Sequence, residues 1–391
     1  MSGLHVMHVI DSMHGGGAET SLLEMLRSLS GQGITSSIVT LRPDDGALEE
    51  RIRMLGLTYI KLRSRNPLRL SLELQRVIAT ERPDLLHTTL LVASLTGRLV
   101  AQMSRTPVIT TLANQDYGPE HRGNSRYGAW SVRTVHAADM LTVPLTTHYH
   151  AVSTQVANVM SGRLRIRRDR IRVIYRGRDP ARLGTPSPQR RERVRTALSI
   201  GAQTPVVLSV ARIDRQKGVD TTIDAFRRLL ARRPDAVLLI AGRPGNATHM
   251  IKARTAGCPA IRLLGHRTDV ADLMCAADVL SFPSRWEGLG GTLLEAMALR
   301  LAIVASDIPP VAEALGQTGW PLVQPGDHEA LAEALMSVID HAAMNEAKKD
   351  AGQQRFHASF TVQATSEAMA RLYREVLNDS KRRPAPSHWR P

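Results

Sequence analysis

Short apolar runs alternate with amphipathic segments along this chain, and the alternation happens twice. In the first half the runs are His5 to Ile10, Ser36 to Leu41, Leu57 to Lys61, Leu85 to Thr88, Val108 to Leu112, Met140 to Val143 and Arg172 to Ile174. Between the first two, Ala18 to Leu29 sets Leu22, Met25, Leu26 and Leu29 at helical spacing. Strands that alternate with helices form a parallel sheet, because each crossover helix returns the chain to the same end of the sheet and covers one of its faces. The pattern breaks at Gly184-Thr185-Pro186-Ser187-Pro188, whose glycine and prolines suit a linker, and resumes after the charged run Arg190 to Arg195. The second set of runs is Val206 to Ala211, Ala236 to Ala241, Ile261 to Leu264, Val279 to Phe282 and Ala302 to Ser306, with a helix over Thr221 to Ala231 that buries Ile223, Phe226 and Leu230.

The predicted fold is α/β, with two doubly wound parallel-sheet domains over 1–183 and 184–363, a final helix over 364–380 returning to the first domain, and a disordered basic tail over 381–391. A length of 391 residues favours two cores over one. Ligands of such sheets bind outside the carboxyl ends of the strands, and two such domains facing each other would put the site in the cleft between them.

Charge narrows the partners. Lys and Arg number 51 against 36 Asp and Glu, a net +15, which calls for an anionic partner such as nucleotide phosphates or a membrane surface. Aromatic residues make up only 4%, too few for the stacking platforms of a single-strand nucleic-acid binder, so nucleic acid is set aside. Cys258 and Cys275 have no ligand-like spacing, which argues against a zinc site or a disulfide scaffold and fits a reducing cytosol. The N-terminus lacks the basic start and long apolar run of a secretory signal, and no run of about 18 apolar residues occurs, so no spanning helix is expected. Arg163, Arg165, Arg167, Arg168, Arg170 and Arg172 crowd one region. A solvated charged edge is the plainer reading of that run, and contact with an anionic membrane surface is the other.

Four constellations carry chemistry. Gly15-Gly16-Gly17-Ala18-Glu19 follows the first run, where a glycine backbone and a helix start can approach a phosphate; a merely tight turn explains it as well. Arg212 stands at the carboxyl end of the first strand of the second domain, with Lys217 five residues on, and together they would clamp a diphosphate; a surface ion pair is the plainer alternative. The stretch Ser284-Arg285-Trp286-Glu287-Gly288-Leu289-Gly290-Gly291-Thr292-Leu293-Leu294-Glu295 follows another strand. It places two acids, with seven residues between them, around a glycine turn that opens a helix. Backbone N–H groups there suit phosphate, and the carboxylates suit sugar or ribose hydroxyls. Last, Tyr175-Arg176-Gly177-Arg178-Asp179 reads as a hinge in preference to a ligand loop.

Taken together these motifs resemble the retaining nucleotide-sugar glycosyltransferases of family 4 and the GT-B fold, most strongly from Pro205 to Leu315. The resemblance implies two Rossmann-like domains and a hexosyl donor, UDP- or GDP-linked, that is a substrate, with no cofactor and no metal. It implies that Arg212 and Lys217 neutralise the donor diphosphate, that Glu287 holds the sugar hydroxyls, and that Glu295 binds the ribose. Gly290, Gly291, Thr292 and Leu293 would lie near sugar and phosphates, Gly16 and Gly17 would close on the diphosphate, and the segment with Gly265 would seat the base. The acceptor would be a saccharide or a lipid-linked saccharide in cell-surface polysaccharide or lipopolysaccharide synthesis, and the enzyme cytoplasmic or peripheral on the inner face of the membrane. The family's histidine after the fifth strand is replaced by Ala113 and Asn114, leaving Asn114, His87 and His121 as acceptor-side substitutes. Arg176 and Arg178 depart from the usual junction turn and would face an acidic acceptor. The alternatives on the same fold are a nucleotide-sugar epimerase, a phosphorylase, or a non-catalytic nucleotide-sugar-binding protein.

Overall fold

The computed structural model describes residues 3–14, 16–43, 46, 48–118 and 128–382, with backbone alone for 128–131 and 381–382. Gly15, His121 and residues 383–391 of the tail lie outside the described residues. The chain forms two compact units, one from the N-terminal part through Gly177 together with the chain from Val362, the other Arg178–Thr361. The Gly184 to Pro188 stretch lies inside the second unit, where Pro188 opens a helix whose N-cap Ser187 accepts the N–H of Arg190.

In the first unit, β1 (Leu4–Ile10), β2 (Ile34–Thr40), β3 (Thr58–Lys61), β4 (Leu85–Thr89), β5 (Val108–Leu112), β6 (His148–Ala151) and β7 (Ile171–Val173) form a parallel sheet in the order β3-β2-β1-β4-β5-β6-β7. Alternation along β1 explains why both faces are covered. Val6 and Ile10 join a core with Leu22, Leu26 and Leu29 of the helix Gly17–Ser30 and with Met369, Tyr373 and Val376 of the C-terminal helix Val362–Arg382. Met7 and Val9 point the other way, into a core with Leu70 and Leu74 of Pro67–Glu81 and Val100 of Leu91–Ser104.

One expected strand is overturned. Met140 to Val143 ends the helix Gly128–Thr142 and enters a one-turn 3-10 segment, and the sixth strand is His148–Ala151 instead. Its histidines hid it. His150 is buried because its Nε2 reaches the carbonyl of Ile174, a partner 24 residues downstream that no local pattern reveals.

That hydrogen bond sets the direction of a longer chain. A carbonyl only accepts, so His150 Nε2 donates (2.9 Å). Burial pushes the His150 pKa down to about 4, so the ring is neutral at pH 7 and its Nδ1 accepts from the Thr111 hydroxyl (3.1 Å). Thr111 then accepts from His87 Nε2 (2.7 Å), and the neutral His87 accepts at Nδ1 from the Tyr373 hydroxyl (2.7 Å). Every proton has one place to go, and the chain bolts the C-terminal helix to the sheet. His8 lies beside it, 5.3 Å from His87 between ring centroids, with both ring nitrogens buried and unpartnered among the described residues. Burial, reinforced by His5, lowers its pKa to about 3.

The arginine run lies largely on a solvated edge, with Arg165, Arg167, Arg168 and Arg172 exposed, while Arg163 and Arg170 hold backbone carbonyls. Arg163 donates to the carbonyls of Gln115 and Asp116, Arg170 to those of Thr146 and Thr147, and Arg167 pairs with Asp169.

In the second unit, β8 (Val206–Val210), β9 (Val237–Ala241), β10 (Ile261–Gly265), β11 (Val279–Phe282), β12 (Ala302–Ser306) and the two-residue β13 (Leu322–Val323) run parallel in the order β10-β9-β8-β11-β12-β13. The helix Val219–Arg232 buries Ile223, Phe226 and Leu229; Leu229, not the expected Leu230, completes the buried face, three residues on from Phe226.

Candidate active site

Strand order reverses direction at one point in each sheet, and adjacent loops there part to leave a crevice at the carboxyl ends. In the first unit the reversal lies between β1 and β4. Its helix start is already occupied: Asp11 after β1 accepts the N–H of Ala93 (2.7 Å) and, more weakly, that of Val92 (3.4 Å), in the first turn of Leu91–Ser104. Burial raises the Asp11 pKa, against the pull of those two N–H groups and of Arg42. Gly16 caps the helix Gly17–Ser30, and the carboxylate of Glu19 folds back so close that a Cβ at Gly16 would sit 2.7 Å from Oε2.

The second unit's reversal lies between β8 and β11, and there the helix start has no side-chain cap. The loops following the two strands are docked by hydrogen bonds. Arg285 N donates to Gln216 O and the Gln216 side-chain Nε2 donates to Trp286 O, each at 2.8 Å. Arg285 also grips Asp220 with two nitrogens (3.0 and 2.8 Å). Burial would raise the Asp220 carboxyl, but this hydrogen bond and charge hold it below its ordinary value. Gly218 is obligatory in this docking: its φ is +64°, and a Cβ would lie 2.1 Å from the Pro283 carbonyl oxygen.

The docked loops bring Lys217 and Glu287 together. Lys217 Nζ donates to Glu287 Oε1 at 2.5 Å, and Ser284 Oγ donates to the same oxygen at 2.8 Å. Glu287 is 5% exposed, so its charge is stabilised by these partners and not by water. Beyond it, Gly290 (φ +90°) leads into the helix Gly291–Ala298 with no side-chain cap. The helix therefore presents first-turn N–H groups at the carboxyl end of β11, an arrangement suited to an anion. Thr292 leans on the Val210 carbonyl (3.4 Å), and Leu293 is fully buried, so its side chain packs the core.

Arg212 lies on the same loop as Lys217 but turns its Nε to Asp214, and its side chain is 62% exposed. Gly265 ends β10 at φ +67°, with its carbonyl accepting from Gly242 N at 2.7 Å. Glu295 carries a pairing that the motif did not announce: Oε1 accepts from Arg178 Nε (2.9 Å) and Arg182 Nη2 (3.2 Å). Arg178 is 4% exposed and faces this carboxylate, which corrects the expectation that it faces an acceptor. Neither arginine stood out as a Glu295 partner, because more than a hundred residues separate them from it.

On the first unit, Asn114 follows β5 and its Oδ1 accepts the Gln115 N–H (2.9 Å). His87 is 2% exposed, with both nitrogens engaged by Tyr373 and Thr111, and it lines a small cavity of about 40 Å³ shared with Thr89, His150 and Arg176. Among the described residues no group of three or more His, Cys, Asp or Glu is placed to hold a metal ion, and no helix is long and apolar enough to cross a membrane.

Comparison with known proteins agrees with this geometry. A family described as Glycosyltransferase Family 4 matches residues 15–182, and one described as Glycosyl transferases group 1 matches residues 204–341. A lipopolysaccharide core biosynthesis mannosyltransferase, LpsB of Rhizobium meliloti, is 26% identical over 88% of this chain and 94% of its own length. A glycogen synthase of Mycobacterium tuberculosis is 31% identical over 75% of this chain and 69% of its own length. The crystal structure of Anabaena Alr3699/HepE in complex with UDP superposes with a TM-score of 0.81 at 19% identity, covering 95% of this chain and all of that one. Two parallel-sheet units, the lysine–glutamate pair at the second strand-order reversal and these likenesses place the chain in the group 1, family 4 glycosyltransferases of the GT-B fold.

Proposed function

We propose that this chain moves a hexose from a nucleoside-diphosphate sugar to a saccharide or lipid-linked saccharide acceptor, with retention, in the synthesis of a cell-surface polysaccharide or lipopolysaccharide. The observation that carries the proposal is the Lys217–Glu287 pair beside the uncapped start of Gly291–Ala298. A cation, a carboxylate and free N–H groups converge there on the three parts of such a donor that need them. The mannosyltransferase and glycogen synthase relatives support a hexosyl donor, and the UDP bound by the structural relative supports a uridine carrier, with a guanosine carrier as the alternative the assay below compares.

In this reading Lys217, Arg212 and the N–H groups of Gly291 and Thr292 stabilise the leaving diphosphate, Glu287 holds sugar hydroxyls, and Glu295 takes the ribose. The bond from the anomeric carbon to the diphosphate oxygen breaks, its electron pair goes to the diphosphate, and positive charge builds on the ring. The acceptor hydroxyl attacks the same face and passes its proton to that leaving oxygen. Charge neutralisation by fixed side chains and a helix start makes a metal unnecessary. The first unit supplies the acceptor side through the loop that follows β5. The net charge of +15 favours peripheral work on an anionic, inner membrane face.

The test is nucleoside-diphosphate release from a panel of UDP- and GDP-sugars with and without saccharide acceptors. Release that needs an acceptor and collapses in folded Lys217→Ala and Glu287→Ala proteins is the expected result. Epimerised sugar without acceptor, or nucleotide binding with no turnover whatever acceptor is offered, would overturn it.

A further inference from the structure

We propose that Arg178 and Arg182 are positioning residues that aim Glu295 at the donor's ribose, an inference that rests on the ribose role assigned to Glu295 above. Both arginine contacts fall on one oxygen, Oε1, at 2.9 and 3.2 Å, and among the described residues no hydrogen bond reaches Oε2. Glu295 is 14% exposed, so the second oxygen is offered at the edge of the site and not sealed in the core. An ionised carboxylate only accepts hydrogen bonds, and what it can take at Oε2 is a hydroxyl donor such as a ribose diol.

The two arms that hold it are themselves anchored. Arg178 donates its backbone N–H to the Phe360 carbonyl (2.9 Å), and its guanidinium fills the space left by a missing side chain: a Cβ at Gly291 would lie 1.8 Å from Arg178 Nη2. Arg182 sits on the single helical turn Pro180–Leu183, which Asp179 caps by accepting the Ala181 N–H (2.9 Å). A glutamate without such partners samples several rotamers, and fixing it beforehand removes that entropy loss from ligand binding. Glycine at 291 therefore serves twice, opening the helix start and admitting the arginine that orients the acid one turn further on.

The experiment is calorimetric titration of the full chain with UDP, GDP and ADP and with the 2′,3′-dideoxy form of each. Wild type should bind the ribose form of at least one nucleotide about tenfold or more tightly than its dideoxy form. In Arg178→Ala and Arg182→Ala that ratio should fall toward one while dideoxy affinity changes little, and Arg178→Lys should keep part of it. A merely structural ion pair would weaken both forms alike. Glu295→Ala sets the floor. If it abolishes the ratio but both arginine variants keep the wild-type value, the positioning role is overturned and the ribose role stands. If Glu295→Ala itself keeps the ratio, or wild type shows no preference, the ribose role fails. Should Arg178→Ala not fold, Arg182→Ala, whose side chain is about one-third exposed, carries the same comparison.

Discussion

Replacing Lys217 by alanine separates its catalytic role from its structural one, because the two have different magnitudes and different rescues. Lys217 Nζ is 2.5 Å from Glu287 Oε1, and the glutamate is 5% exposed. Removing the lysine takes the cation away from that charge and leaves the Ser284 hydrogen bond to Oε1 in place. Breaking a buried pair costs about 3–5 kcal/mol; because the Lys217 side chain is 22% exposed, water replaces part of the loss and about 1–3 kcal/mol is expected. For a unit of this size that is a fall in Tm of roughly 3–10 °C. Activity should drop further, because a cation lost from the leaving diphosphate costs about 3–4 kcal/mol in the transition state, roughly a hundred- to a thousandfold in kcat. Differential scanning calorimetry and a coupled nucleotide-release assay read the two effects. The double variant Lys217→Met with Glu287→Gln removes both charges of the pair and should regain most of the lost Tm while remaining inactive. Recovery of activity along with Tm in that variant would show that the pair holds the loops and not the substrate.

The other predictions concern the scaffold. Gly218→Ala puts a Cβ 2.1 Å from the Pro283 carbonyl oxygen at a φ of +64°, so it should cost about 2 kcal/mol or more and weaken donor binding; a Tm and a KM equal to wild type would contradict the docked-loop geometry. The three buried histidines His8, His87 and His150 have pKa values lowered by burial, to about 3 for His8 and about 4 for His150. The unfolded chain binds their protons first, so stability is full above about pH 6.5 and falls as pH drops toward 4, by at most about 4 kcal/mol per unit if all three contribute. His8 has no partner for either nitrogen among the described residues, so His8→Leu should flatten that slope by about one proton; parallel stability curves from pH 7 to 4 would show that His8 does not titrate on unfolding. Tyr373→Phe leaves His87 Nδ1 without its 2.7 Å donor and should destabilise the first unit by about 1–3 kcal/mol without changing nucleotide affinity, as thermal melts and titration would show.

β1 to β5 and β7 to β12 were legible because each short run holds enough apolar residues to mark a strand between helical segments, and that is a local property. β6 was not, because Tyr149 and His150 are buried through hydrogen bonds to Val143 O and Ile174 O that lie elsewhere in the chain. The two residues of β13 are too few to show a period. At the site, Lys217, Glu287 and the glycine start of the helix were legible as residue types after strands. Contact between Lys217 and Glu287 depended on Gly218 fitting under Pro283, a meeting of loops that only the sheet order creates. Arg178 read as part of a junction turn because its carboxylate partner is 117 residues away, and Asp11 read as nothing because its role is to fill the helix start that a ligand would otherwise use.

On the proposed function, the second unit's strand-order reversal binds the donor's diphosphate. Crystals of the full chain soaked with UDP or GDP test it directly. Diphosphate density is expected against the N–H groups of Gly291 and Thr292, with Lys217 Nζ turned to a phosphate oxygen. Nucleotide density confined to the first unit's β1–β4 crevice, or none at the start of Gly291–Ala298 at saturating nucleotide, would contradict it.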